Sequence, residues 1–225
     1  RANSQNLSMQ VDAVLSQIAP SATAESQAAR RDFINGILGV LDETYAAGLI
    51  DASIAARAEG KELTVAAAMT VSDGKKLAQL LKNLAEAEKN NPDFPEFLFD
   101  YITHQNVSIH FAKIPTPAQS GLTKVFGEEI DLAVGTGEKT AWIAIGSGAI
   151  DQLKRAIDES AGAKPVENPL IVKLDLKPLL HHIGAIETLD GPMKKIGEAA
   201  SSFNGEPSIS FVTVFTAGGV KGELI

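Results

Sequence analysis

The sequence contains no cysteine among its 225 residues. This absence excludes disulfide bonds, thiol nucleophiles, and zinc or iron–sulfur sites with cysteine ligands. A chain of this length buries enough surface to fold without such cross-links. We therefore expect one large domain or two small ones, held together by an ordinary apolar core.

Aromatic residues are also scarce, at 5% of the chain, and the formal net charge is -8 at pH 7. Nucleic-acid binding needs clustered lysine and arginine to neutralise phosphates, and aromatic rings on which bases stack. Scarce aromatics likewise leave few anchors for stacking on sugars. The basic residues cluster only in pairs, at 30–31, 75–76 and 194–195. We therefore expect no nucleic-acid partner.

The sequence lacks a continuous apolar run long enough for a transmembrane helix, so we expect no membrane span. It starts at Arg1 rather than methionine and ends on VKGELI, which has the pattern of a strand interior. These two ends indicate a processed piece of a longer protein. The lack of a signal peptide therefore does not argue against export.

Hydrophobic periodicity predicts the elements of the first half of the chain. Helical spacing predicts helices at 1–19, 22–46 and 72–89, the last capped by Ser72 or Asp73. In the second of these helices, Gly36 and Gly39 are expected to allow close approach of a neighbour. Alternation predicts a hairpin at 48–71 with its turn at 59–61, and a strand at 107–114. The proline-containing stretch between them, up to residue 103, is predicted as a loop or short helix.

The second half is predicted by the same patterns. A hairpin is expected at 129–146, with its turn at 135–138, followed by a helix from Ala149 to about Ser160. Further strands are expected at 170–176, 208–215 and 220–225, with a helical stretch at 178–201. The order strand, helix, strand, strand thus occurs twice, with a period of roughly one hundred residues.

These elements predict an α+β fold with antiparallel sheets, helices packed on one face, a helical N-terminal segment and a duplicated β–α–β–β unit. The expected organisation has N-terminal helices at 1–47, a first α+β half at 48–160, and a second half at 161–225 that is truncated at the C-terminus. We expect these parts to pack as one unit.

Two glycine-containing strings resemble phosphate-binding motifs. GTGEKT, residues 135–140, places Glu138 where a phosphate loop needs glycine, and it joins two strands instead of a strand and a helix. In IGSGAID, Gly146 and Gly148 match a dinucleotide fingerprint, but Asp151 stands where a small residue is needed. We therefore interpret the first string as a hairpin turn with glycines at positive φ. The second is interpreted as a strand-to-helix junction capped by Ser147.

The four histidines are the main candidates for chemistry: His104, His110, His181 and His182. Adjacent residues on a helix point about 100° apart, so His181 and His182 do not favour a shared metal ion. Asp175 lies upstream of that pair. A site combining one of the pair with His110 stays an open alternative.

No complete catalytic motif occurs elsewhere. A serine hydrolase using Ser147 would need a histidine and an aspartate nearby, and the Gly-x-Ser-x-Gly motif typical of such enzymes is absent. The acidic pairs Glu128–Glu129 and Glu187/Asp190 are typical of solvated or capping residues. We therefore predict no catalytic, cofactor-binding or metal-binding residue and no cofactor.

The strings VSIHFAKI and WIAIGSGAIDQLKRAID, together with the order of elements, resemble uncharacterised exported proteins of planctomycete-type bacteria. The resemblance implies a periplasmic, cell-envelope or secreted location. It carries no site residues and no known activity.

Three functions follow as hypotheses. The first is a non-enzymatic extracytoplasmic domain that binds a small ligand or a protein partner. The second is a hydrolase or metal-dependent enzyme that uses His110, His181 or His182. The third is a structural module of a longer envelope protein.

Overall fold

A computed structural model describes residues 23–48, 51–59, 62–92, 94–116, 123, 126–161, 170–175, 208–216 and 219–224. The helices predicted at 1–19 and 178–201 lie outside these residues. Three helices are described: α1 (Ala24–Ala46), α2 (Gly74–Glu88) and α3 (Ala149–Ala161). None of the three is long and apolar enough to cross a membrane.

The described strands form a single nine-stranded sheet in the order β3-β4-β5-β6-β2-β1-β7-β8-β9. All neighbouring strands are antiparallel except β1 and β7, which are parallel. The predicted α+β class and its antiparallel sheet are confirmed. The strands are β1 (Ala52–Glu59), β2 (Glu62–Thr70), β3 (Phe97–His104), β4 (Val107–Pro115), β5 (Glu129–Thr136), β6 (Thr140–Gly146), β7 (Leu170–Asp175), β8 (Ser208–Thr216) and β9 (Gly219–Leu224).

Side-chain caps explain where two of the helices begin. The Asp73 carboxylate accepts a hydrogen bond from the Lys76 amide at 2.9 Å, so α2 starts at the predicted cap. The Thr23 hydroxyl accepts from the Ser26 amide at 3.2 Å in the same way at the start of α1.

The main core lies between α3 and one face of the sheet. Ile109 on β4 and Trp142 on β6 are both paired with Gly135, so the three residues share this face. Leu153 of α3 packs against it, and a Cβ added at Gly135 would lie 3.1 Å from the Leu153 side chain. Gly135 is therefore a packing position inside β5 that lets α3 approach the sheet.

Helix α2 lies over the opposite face, because Lys82 contacts Phe99, whose ring meets the ring of His110. The described helices therefore pack on both faces of the sheet, and the expectation that they pack on one face is wrong. His110 follows Ile109 along β4 and points to the other side of the sheet. Helix α1 packs on α2: a Cβ added at Gly36 would lie 2.4 Å from the Leu80 side chain. At Gly39 an added Cβ meets nothing within 4 Å, so only Gly36 permits the expected close approach.

The hairpin predicted at 129–146 is confirmed, but its turn lies two residues further along. β5 continues through Thr136, and the loop consists of residues 137–139. Neither Gly135 nor Gly137 has a positive φ, so the predicted conformational reason for these glycines is wrong. The loop instead docks on the start of α2, where the Glu138 carbonyl accepts from the Gly74 amide at 3.0 Å. A Cβ at Gly74 would lie 2.1 Å from the Gly137 carbonyl oxygen, so this docking needs glycine.

The structure has strand β3 where the sequence pattern predicts a loop or short helix up to residue 103, so that prediction is wrong. The strand begins two residues after Pro95, and its register shifts between Leu98 and Ile102, where Asp100 has a φ of 50°. This bulge breaks the alternation from which a strand is predicted. Gln105 and Asn106, with φ of 46° and 64°, join β3 to β4 in a two-residue turn.

The junction between β6 and α3 is the predicted strand-to-helix turn, but Ser147 does not cap the helix. The Gly148 carbonyl accepts the first helical hydrogen bonds, and Ser147 is exposed. Gly146 has a φ of 117°, and a Cβ there would lie 2.0 Å from the Leu63 carbonyl oxygen. Gly148 has a φ of 66° and no neighbour within 4 Å.

These two glycines give a matched pair of substitutions. Gly148→Ala is expected to lower the free energy of unfolding by about 1 kcal/mol, because only the left-handed backbone is penalised. Gly146→Ala adds a backbone clash and is expected to cost at least about 3 kcal/mol. Urea unfolding followed by circular dichroism measures both values. Equal losses would contradict the close approach of β2 to Gly146.

Candidate ligand-binding cleft

In the described part of the chain, a hollow lies between α2 and the segment that leads into β3. It is a cleft of about 660 Å³ that is open to solvent. Its floor is apolar and its rim is polar. The floor is formed by Phe94, Pro95, Phe97 and Phe99, and the rim by Gln79, Lys82, Asn83, Glu86, Lys89 and Glu96.

The floor is a row of aromatic rings. Phe97 and Phe99 point to the same side of β3 because they are two residues apart, and their ring centroids are 5.7 Å apart. Phe94 lies 6.0 Å from Phe97, and His110 lies 5.4 Å from Phe99 at the inner end. These separations are typical of stabilising aromatic contacts. Three of the nine phenylalanines of the chain are thus gathered within residues 94–99.

Lys82 stands at the inner end of the cleft and is fixed there by two contacts. Its ammonium nitrogen lies 2.7 Å from Oδ2 of Asp100 and 5.7 Å from the centroid of the Phe99 ring. The hydrogen bond from Lys82 lowers the pKa of Asp100, and a second hydrogen bond from Ser108 lowers it further. The carboxylate is therefore ionised at neutral pH and holds Lys82 over the ring.

Asp100 occupies the bulge of the edge strand β3 and forms hydrogen bonds to β4 and α2. Its amide donates to Nδ1 of His110 at 3.0 Å, and its Oδ1 accepts from the Ser108 hydroxyl at 2.5 Å. With the contact to Lys82, these bonds join β3, β4 and α2 at one residue. A left-handed backbone at a residue other than glycine costs roughly 1–2 kcal/mol, so these bonds compensate local strain.

His110 is fully buried, at 0% exposure, and both ring nitrogens have partners. Because Nδ1 accepts the Asp100 amide, the ring proton resides on Nε2, which donates to the Thr136 hydroxyl at 3.2 Å. Burial lowers the pKa of His110, although the nearby Asp100 carboxylate acts in the opposite direction. The imidazole is therefore neutral at neutral pH and positions its neighbours.

The structure does not bring the other described candidates to this cleft. His104 lies at the end of β3, where its Nε2 is 2.7 Å from Oδ1 of Asp158 on α3. Glu129 is paired with Lys113 at 3.0 Å on the surface. His181, His182, Glu187 and Asp190 lie outside the described residues, and Asp175 ends β7. Ser147 lies at the junction before α3.

Within the described ranges, no group of three or more histidine, aspartate or glutamate side chains is placed to hold a metal ion. No sequence motif marks the phenylalanines of the cleft or Lys82 as functional residues. The available signal was the alternate spacing of Phe97 and Phe99, which is typical of one strand face.

The buried carboxylate of Glu88 forms the back wall of the cleft and joins α2 to α1. Its Oε1 accepts from the Ser26 hydroxyl and from Nε of Arg30, each at 2.5 Å, and its Oε2 accepts from Nδ2 of the Asn91 side chain at 2.7 Å. Burial alone would raise the pKa of Glu88, but these hydrogen bonds and the Arg30 charge outweigh it and lower the pKa to about 2. The carboxylate is therefore ionised and fully paired inside the protein.

The fold and this cleft define an α+β domain with an open groove that has an aromatic floor. No protein-family model, curated protein or solved structure matches the chain. The function is therefore inferred from the cleft and its side chains.

Glu88→Gln is expected to lower the free energy of unfolding at neutral pH by about 3 kcal/mol, because the neutral amide loses charge-assisted bonds and leaves Arg30 unpaired. The folded-state pKa is depressed, so the stabilisation is present above the ordinary value of 4.5 and is lost as the pH falls towards about 2. Urea unfolding of both proteins across this range should show their difference shrinking.

The matched control is Glu86→Gln, which removes an exposed carboxylate two residues away that is paired with Lys89. Its effect is expected to stay below about 0.5 kcal/mol at every pH. A difference for Glu88→Gln that does not depend on pH would contradict an ionised, paired carboxylate at this position.

Proposed function

We propose that the chain is a non-enzymatic ligand-binding domain whose cleft takes an uncharged saccharide. The observation that carries the proposal is the row of Phe94, Phe97 and Phe99 beneath a polar rim. A sugar ring has an apolar C–H face and hydroxyl groups around its edge. Such a ligand fits a cleft that offers ring faces below and hydrogen-bonding side chains at the sides.

The charges of the cleft support a neutral ligand. Lys82 is paired with Asp100, and Lys89 is paired with Glu86. Both lysines that line the cleft therefore have a carboxylate partner. An anionic ligand would have to displace one of those carboxylates, which costs affinity. The amides of Gln79 and Asn83, 2.8 Å apart, present neutral donors and acceptors to hydroxyl groups.

The scarcity of aromatic residues in the chain as a whole argued against stacking on sugars. The aromatic content of the whole chain does not show that three phenylalanine rings lie together in the cleft, on the edge strand and the segment before it. A cleft of about 660 Å³ has room for one or two sugar rings.

The environment of His110 favours binding over catalysis. A general base must reach the substrate proton within hydrogen-bond distance, and His110 is buried with both nitrogens engaged. The alternative of a hydrolase or metal-dependent enzyme would therefore depend on His181 or His182.

The setting of the domain belongs to the same proposal. The resemblance to exported proteins supports a periplasmic, envelope or secreted location, where a saccharide-binding domain meets cell-wall or extracellular sugars. The duplicated β–α–β–β unit and the role as a module of a longer envelope protein are compatible with this function.

Titration with neutral mono- and disaccharides, followed by aromatic and amide NMR signals, tests the proposal. We expect at least one neutral sugar to shift the Phe97 and Phe99 ring signals at millimolar concentration, and its uronic-acid counterpart to bind more weakly. Phe99→Leu, which removes the ring but keeps an apolar side chain, is expected to weaken binding about 3- to 10-fold.

Leu98→Ala is the matched control, because Leu98 lies between the two rings on β3, points to the opposite face and is 46% exposed. Its affinity should match that of the unmodified chain. If Leu98→Ala weakens saccharide binding and Phe99→Leu does not, the site lies elsewhere. If no neutral sugar binds, the proposed ligand class is wrong.

A further inference from the structure

We infer that Asp100 and His110 form a proton-sensitive bolt that positions Lys82 and Phe99 at the inner end of the cleft. While the imidazole is neutral, it accepts the Asp100 amide and the bulge keeps its shape. Protonation of the imidazole breaks this bond and draws the Asp100 carboxylate away from Lys82. Asp100 and His110 are thus positioning residues for the cleft, and only the effect on ligand affinity rests on the proposed function.

The bolt depends on which nitrogen of His110 carries the proton. Nδ1 lies 3.0 Å from the Asp100 amide nitrogen and can receive that hydrogen bond only while it is unprotonated. A proton added at Nδ1 would set two N–H groups against each other at this distance. The Asp100 amide would then have to leave, and with it goes a bond that holds the left-handed bulge.

The same proton creates a new partner for the Asp100 side chain. Oδ1 of Asp100 lies 3.8 Å from Nδ1 of His110, so a small rotation brings the carboxylate into contact with the imidazolium. While the imidazole is neutral, that carboxylate accepts hydrogen bonds from Ser108 and Lys82. Its movement releases Lys82 from its place over Phe99, at the point where the cleft floor begins.

The charged groups that face the ring define the direction of the switch. Among the described residues these are Asp100 on β3 and Lys82 on α2, while Thr136 on β5 and Phe99 are uncharged neighbours. Burial lowers the pKa of His110 below its ordinary value of 6.5, the Asp100 charge raises it, and the Lys82 charge lowers it. The bond between the Asp100 amide and His110 is therefore intact at neutral pH and is lost as the pH falls below the ordinary histidine value of 6.5.

An NMR titration of the ring and backbone nitrogens tests the bolt without any ligand. The titration runs from about pH 8 to about pH 4.5. At its start we expect His110 to be the tautomer protonated on Nε2. The Asp100 amide and the Lys82 side-chain signals should then change with the same midpoint as the ring. His104→Asn, which removes a partly exposed histidine at the end of β3, should leave the His110 midpoint unchanged.

Asp100→Asn distinguishes positioning from a purely structural role. Asparagine tolerates the left-handed backbone and keeps the amide donor, but it removes the charge that attracts the imidazolium. We expect the His110 midpoint to fall and the Lys82 signals to lose their pH dependence. A His110 ring protonated on Nδ1 at neutral pH, or Asp100 and Lys82 signals that do not follow the ring, would overturn the bolt.

The consequence for binding is measured with a neutral disaccharide that binds at neutral pH. Its affinity should fall at least about 3-fold when His110 becomes protonated, and this loss should be smaller in Asp100→Asn. An affinity that stays constant across the His110 midpoint would contradict control of the cleft by the bolt. Failure of every sugar to bind at neutral pH would contradict the ligand class, while the ligand-free titration still decides the bolt.

Discussion

The buried carboxylate of Glu88 holds the C-terminal end of α2, and the position of the cleft depends on it. Ser26, Arg30 and Asn91 satisfy both of its oxygens, so the end of α2 is attached to α1 and to the segment that follows. The other end of α2 is attached by main-chain bonds, because the loop between β5 and β6 accepts from the amides of residues 71 and 74. A helix held at both ends keeps a constant distance from the edge strand, so the cleft exists before any ligand arrives.

The edge strand β3 supplies the other side of the cleft, and its bulge determines which charged and aromatic side chains line that side. The bulge at Asp100 places a carboxylate beside Lys82 while the preceding residues keep Phe97 and Phe99 on one face. An edge strand offers unpaired backbone groups to other chains, and a bulge interrupts such pairing. The same feature thus blunts the edge of the sheet and joins the cleft to the buried His110.

Much of the fold follows from local patterns in the sequence. Alternation and helical spacing predict the α+β class, the hairpins at 48–71 and 129–146, and a cap of α2 at Ser72 or Asp73, because these elements depend on neighbouring residues. Strand β3 is not predictable in this way, since a left-handed aspartate interrupts its period. Gly135 has the appearance of a turn residue, and only the packing of Leu153 across the sheet explains it. The cleft is likewise not predictable from local patterns, because it forms only where α2 and β3 lie side by side. The buried state of His110 arises from contacts with β3 and β5.

Native-state hydrogen exchange across α2 tests most directly whether the cleft is preformed. We expect the amides of Leu84 and Ala85, near the end held by Glu88, to exchange with the same opening free energy as the core strand amide of Ile109. Such agreement means that the helix opens only when the whole domain unfolds. If the C-terminal half of α2 exchanges through an opening of much lower free energy than Ile109, the helix is not held at that end and the cleft is not a fixed feature of the fold.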